Sequence, residues 1–195
     1  MFHRIAIRLV AAVLTLGLAQ AAQAQDLRIG ALFAMTGTQA TFGELMSSGA
    51  LMAVDHANAD RVLKGKLSLA IEDTQGTPQN GVIAINKLVN VENVPFVLSS
   101  YSGVAKAIAP IAARAKVVAV NGGGVGPDLA ELGPYFWNVI PLASSEVRAF
   151  APYLVKQRNL KRVALLYVDD PLGQGIRKEL ESALPAAGGE LVAAL

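Results

Sequence analysis

Short apolar runs alternate with stretches of helical period from Leu27 to the end of the chain, and this alternation narrows the fold more than any other feature. The runs Leu27–Phe33, Leu67–Glu72, Phe96–Leu98, Val117–Val120, Phe136–Val139 and Val163–Val168 are strand-length and mostly unbroken by polar residues. Parallel strands covered on both faces read this way. Between them, Glu44–Ala59 aligns Leu45, Gly49, Met52, Ala53 and His56 on one helical face. Pro78–Asn90 does the same with Val82, Ile85 and Val89, and Pro78 suits a first helical turn. Gly103–Ala115 aligns Val104, Ile108 and Ile111; Pro110 interrupts it, yet the apolar period continues beyond, so the helix is kept. The predicted class is α/β, a doubly wound parallel sheet with right-handed crossovers.

The alternation breaks once. Ile140-Pro141-Leu142-Ala143-Ser144-Ser145-Glu146 separates the fifth run from a helix at Val147–Arg158. Residues 141–146 read as a crossover into a second lobe, with Ser144 or Ser145 capping the helix. Residues 25–140 then form a first ligand-binding lobe and 147–195 a partial second one. Two strands are too few to cover that lobe's helices, so the chain is expected to be part of a longer protein. Residues 1–24 carry Arg4 and Arg8, an 11-residue apolar run Leu9–Ala19 and the small-x-small triplet Ala22-Gln23-Ala24. That is the pattern of a cleaved secretory signal peptide, and 11 residues fall short of the ~20 a membrane span requires. Without this segment, 15 basic residues face 15 acidic ones. No basic run remains, which argues against nucleic acid as a partner. An exported chain without cysteine has no disulfide framework and no thiolate chemistry, so its core must supply its stability.

Three strand-to-helix loops are rich in Thr, Ser and Gly: Phe33–Gly43, Ser99–Gly103 and Asn121–Gly126. At the carboxyl edge of an open sheet, such loops present free backbone N–H groups to small polar ligands. Ser102 could cap the helix that follows it, or offer its hydroxyl and the first-turn N–H groups to a carboxylate. Gly122-Gly123-Gly124-Val125-Gly126 is either a turn or a loop in close backbone approach to a ligand. A dinucleotide fingerprint needs glycine where Pro127 stands, and Gly65-Lys66-Leu67 fails as a phosphate loop. His56 lacks partners at any metal or triad spacing and reads as a semi-core histidine. Glu72-Asp73 and Asp169-Asp170 end strands, where acidic residues more often cap turns than form an acid–base pair. No catalytic residue, metal site or cofactor is expected, and the chain reads as a binder.

In these and further motifs the chain resembles the type I periplasmic binding proteins of ABC importers, in their leucine/isoleucine/valine-binding branch. The markers are Met35-Thr36-Gly37 with Phe42-Gly43-Glu44, and Glu72-Asp73-Thr74-Gln75-Gly76-Thr77-Pro78. Ser100-Tyr101-Ser102-Gly103-Val104-Ala105 and Ala109-Pro110-Ile111-Ala112 follow, then Lys161-Arg162-Val163-Ala164-Leu165-Leu166-Tyr167 and Gly173-Gln174-Gly175. The resemblance implies two α/β lobes that close on a ligand by a hinge. It implies a periplasmic, monomeric protein that hands a small carboxylate, such as an amino acid, to a membrane ABC permease. A sensing domain of the same fold is the alternative. Ligand contacts carry over to Phe42, Ser102, Gly123, Val125 and Leu172, with Ser100 beside them. Two departures stand out. Gly123 and Val125 replace the Ala/Thr pair of amino-acid binders, and Leu172 replaces a frequent tyrosine. Both weaken recognition of an ammonium and favour a less polar carboxylate.

Overall fold

The computed structural model describes residues 25–195, so the signal-peptide reading of residues 1–24 lies outside the described residues. Five parallel strands form one sheet in the order β2-β1-β3-β4-β5. They are β1 (Leu27–Phe33), β2 (Leu67–Asp73), β3 (Phe96–Ser99), β4 (Val118–Asn121) and β5 (Phe136–Asn138). Between successive strands come α1 (Ala40–Ala59), α2 (Pro78–Asn90), α3 (Ser102–Ala115) and a 3₁₀ turn, Pro127–Glu131. The chain continues with α4 (Ala143–Pro152), which widens into a π turn at Tyr153–Gln157. A second, two-stranded parallel sheet follows, made of β6 (Arg162–Leu165) and β7 (Glu190–Ala194) and connected by α5 (Pro171–Ala187). None of the described helices is long and apolar enough to cross a membrane.

Strand order reverses at β1, which pairs with β2 on one side and β3 on the other. The loops leaving β1 and β3 therefore diverge, and open α/β sheets bind ligands in the crevice this leaves. The main core lies under α2 and α3, where Leu32, Ile85, Leu88, Val97, Val104 and Ile108 are wholly buried. A separate core under the second sheet joins Val147, Ala151 and Val155 of α4 and its extension to Leu180 and Leu184 of α5. Pro110 sits inside α3 without ending it. Val104 and Ile108 on the buried face hold the helix in place around it.

Several expectations are corrected. The face of α1 proposed from Leu45, Gly49, Met52, Ala53 and His56 points to solvent, with Leu45 68% and Met52 58% exposed. The buried face carries Gly43, Ser47 and Val54 instead. Small side chains let the helix backbone approach β1, so contact distance decides which face is inside. The far end of α1 is held by Asn58, whose side chain accepts from the Leu67 N–H (2.8 Å) and donates to the Leu67 carbonyl (2.9 Å). His56 is accordingly an exposed residue, not a semi-core one. Ser144 and Ser145 lie inside the first turn of α4, whose cap position is Leu142, with no side-chain cap bond. Of residues 141–146, only 141 and 142 precede the helix.

Candidate functional site

The site is built from the strand ends. Asp73, last residue of β2, accepts hydrogen bonds at Oδ1 from the N–H groups of Met35 (2.9 Å), Thr36 (3.3 Å) and Gln75 (2.8 Å). Its Oδ2 accepts from the Thr36 hydroxyl at 2.5 Å. The carboxylate thus ties the loop after β1 to the loop after β2. Burial pushes its pKa up, but the bonds from the Thr36 hydroxyl and the three N–H groups outweigh this and hold it below 3.8. Glu72 is engaged elsewhere, with Lys87 at 2.7 Å, so the two adjacent acids have separate structural roles. Because the folded value is depressed, Asp73 stabilises the fold fully above the unfolded value and loses that contribution as pH falls through the folded one. Asp73→Asn is therefore expected to lower the melting temperature at neutral pH. The gap to the parent should close below about pH 4; thermal denaturation across pH 3–7 checks this.

The loop fixed by Asp73 delivers Gln39 and Phe42 to a cleft at the carboxyl edge of the sheet. From the end of β3 come three residues with different positions. Ser100 is wholly buried, and its hydroxyl donates to the Leu32 carbonyl at 3.3 Å. Tyr101 has φ 64° and ψ 130°, a backbone conformation that is costly for a residue with a side chain. Its ring meets that of Phe42 edge to face, centroids 5.6 Å apart, and its hydroxyl lies 3.3 Å from the Gln39 carbonyl. Burial pushes the Tyr101 phenol pKa up, so it remains a neutral donor. Ser102 opens α3 and is 6% exposed. It is the first residue within the helix rather than its cap, and its Oγ accepts from the Gly126 N–H at 2.9 Å. That bond leaves the hydroxyl proton of Ser102 free to donate to another group.

The glycine loop is moulded by Asn121, which is wholly buried. Its Oδ1 accepts from the Gly124 N–H (2.8 Å), and its Nδ2 donates to the Gly124 carbonyl (2.6 Å) and to Asn138 Oδ1 (2.9 Å). None of the loop's glycines has positive φ, so close approach is what requires them. A Cβ on Gly124 would lie 2.9 Å from the Ser102 nitrogen, and one on Gly126 3.0 Å from Ser102 Oγ. A Cβ on Gly123 would meet Met46 Sδ at 2.8 Å and Ser100 Cβ at 2.9 Å. The loop therefore lies backbone against backbone on the start of α3.

These pieces enclose a cleft of about 340 Å³. Phe42, Ser102, Gly123, Val125 and Leu172 all line it; Ser100 does not, and instead buttresses the floor behind Gly123. Gln39, Tyr101 and Asp170 also line it and were missed from the sequence. Tyr101 stands between two serines in the sequence, and Asp170 reads there as a cap. It is one, accepting from the Gly173 N–H at 2.8 Å. The walls are electrically unequal. The first-turn N–H groups of α3 precede the helix's first internal bond, Ala105 N–H to Tyr101 carbonyl, and present partial positive charge. Asp170 lines the cleft from the other unit, its Oδ1 committed to the Gly173 N–H. Among the described residues no cluster of His, Cys, Asp and Glu could hold a metal ion.

The profile of the family described as periplasmic binding protein matches residues 26–194, nearly all of the described chain. The chain belongs to the periplasmic binding protein family. A Leu/Ile/Val-binding protein homolog 3 of Brucella melitensis is 30% identical over 182 residues, which cover 92% of this chain and 49% of that protein. The Leu/Ile/Val-binding protein BraC3 of Rhizobium johnstonii is 31% identical over 168 residues, covering 84% of this chain and 45% of that one. Among solved structures, a solute-binding protein of an ABC transporter from Rhodopseudomonas palustris, in complex with 3,4-dihydroxybenzoic acid, superposes with a TM-score of 0.78. It is 23% identical, with 87% of this chain and 47% of that one covered. The branched-chain amino acid transporter substrate binding protein LivJ of Streptococcus pneumoniae, in complex with isoleucine, gives 0.75 at 24% identity, covering 87% and 49%. The chain spans about half the length of the relatives it matches. The α/β parallel sheet expected from the alternating runs and the periplasmic binding protein fold implied by the resemblance are thus shown, and the family is one of binding proteins, not enzymes.

Proposed function

We propose that this chain forms the ligand-binding part of a periplasmic solute-binding protein of an ABC importer. In this reading the five-stranded lobe and the two-stranded lobe hold a small monocarboxylate between them and present it to a membrane permease. The observation that carries the reading is Ser102 in the cleft, its lone pair taken by the Gly126 N–H and its proton free, at the positive end of a 14-residue helix. A carboxylate accepts from such a hydroxyl and from the adjacent N–H groups. Asp170 on the facing wall disfavours a second anionic group, which supports a monocarboxylate over a dicarboxylate.

The body of the ligand would lie against Phe42, Tyr101, Val125, Pro171 and Leu172, a mostly apolar lining. With glycine and valine at 123 and 125 and leucine at 172, this half of the cleft offers an ammonium no hydroxyl at these positions. Asp170, the carboxylate in the cleft, is engaged in capping α5 through the Gly173 N–H, so the lining supports an aromatic or aliphatic carboxylate over an amino acid. Neighbours of the same fold include both a dihydroxybenzoate complex and an isoleucine complex, so the side chains must decide. Work is done by population shift: a ligand touching both lobes favours the closed form. Calorimetric titration with benzoate, benzamide and leucine tests the reading. Benzoate should bind and benzamide should not. Tight binding of leucine alone would defeat the preference for a non-amino acid, and equal binding of acid and amide would defeat the carboxylate site.

A further inference from the structure

The two units touch beside the cleft, and two of the contacts set a glycine against a proline. A Cβ on Gly175 of α5 would lie 2.7 Å from Cδ, 3.3 Å from Cγ and 3.7 Å from the nitrogen of Pro127, which opens the 3₁₀ turn after the glycine loop. A Cβ on Gly103 of α3 would lie 3.3 Å from Pro78 Cγ and 3.6 Å from Pro171 Cγ. Gly175 and Gly103 have no positive φ, so proximity, not backbone freedom, calls for glycine. The Pro127 ring is part of its backbone and cannot rotate out of the way as a flexible side chain would. Neither Gly175 nor Pro127 lines the 340 Å³ cleft.

We propose that Gly175 is a positioning residue for cleft closure: its missing side chain lets α5 come down flush on Pro127 and brings Asp170, Pro171 and Leu172 opposite Ser102. This rests on the reading of the cleft as a ligand site that closes. A side chain at 175 lowers the fraction of molecules in the closed arrangement, and apparent affinity falls by that same fraction. The effect passes through geometry, since the ligand-facing groups are untouched.

The chain has no cysteine, so two introduced ones can report the separation of the units. Spin labels at Ile83→Cys on α2 and Leu160→Cys before β6, both at exposed positions, give their distance distribution by pulsed dipolar spectroscopy. Gly175→Val is expected to move that distribution to longer distances and weaken benzoate binding by roughly tenfold or more. Pro127→Ala in the same chain, which removes the obstructing Cγ and Cδ, should restore both. Gly175→Ala gives a smaller displacement and serves if the valine variant folds poorly. An unchanged distribution in both variants, or a displacement that Pro127→Ala fails to reverse, overturns the proposal. A displacement that reverses, in a protein whose parent binds neither benzoate nor leucine, upholds the glycine contact and counts against the carboxylate reading.

Discussion

Gly43→Ala is expected to destabilise the protein by roughly 2–4 kcal/mol, a fall in melting temperature of about 5–15 °C for a chain of this size. A Cβ at position 43 would stand 1.9 Å from the carbonyl oxygen of Ala34 and 2.5 Å from its carbon. Both are backbone atoms just past β1, so no rotamer change relieves the clash. The first turn of α1 must lift off the sheet, and Gln39 and Phe42 move with it. Gly49, on the same helix, has nothing within 4 Å of a built Cβ. Gly49→Ala should therefore stabilise by about 0.5–1 kcal/mol through helix propensity alone. Opposite signs for two glycine-to-alanine changes on one helix, read by thermal denaturation, are the expected result. Equal effects would mean that α1 does not seat on Ala34 as described.

Ser102→Ala is expected to weaken binding of the carboxylate by ~1–3 kcal/mol, about 5- to 150-fold in Kd. The same change orphans the buried Gly126 N–H, so some stability is lost as well, and the glycine loop loses its anchor on α3. Ser100→Ala separates the two contributions. Its hydroxyl donates to the Leu32 carbonyl and has no access to the cleft. That variant should lose a comparable hydrogen bond from the fold while leaving Kd nearly unchanged. Calorimetry on both variants, beside their melting curves, distinguishes a ligand contact from general loosening. Similar losses of affinity in the two would argue against Ser102 as the carboxylate's partner.

The parallel sheet was legible because its inner strands β1, β3 and β4 are buried or half-buried along most of their length, and that leaves a nearly unbroken apolar run. The predicted strands Leu27–Phe33 and Phe96–Leu98 agree with the observed ones to within a residue. The face of α1 was not legible. Periodicity weighs large apolar side chains, whereas Gly43 and Ser47 decide which side faces the sheet by being small. Val163–Val168 ends as a strand at Leu165, leaving Leu166 85% and Val168 74% exposed. Beyond Leu165 the ladder continues only as the Tyr167 N–H bond to the Leu195 carbonyl, 3.0 Å.

At the site, the three loops could be read from composition, and five of the six proposed ligand contacts meet in one cleft. What composition hid was the scaffolding. Asp73, Asn121 and the glycine–Ser102 contact act across 24 to 38 residues of sequence, or through a buried amide that looks like any turn asparagine. Tyr101 could not be foreseen as a strained residue, because nothing local marks a tyrosine forced to positive φ between two anchored serines.

In the function proposed, a carboxylate docks on the first turn of α3. Backbone amide chemical shifts, recorded by ¹H–¹⁵N NMR while benzoate and then benzamide are added, test it most directly. The largest changes are expected at Ser102, Gly103 and Gly123–Val125, with benzoate but not with benzamide. Changes confined to the apolar groove lined by Val147, Phe150, Ile176 and Leu180, or identical responses to acid and amide, would contradict it.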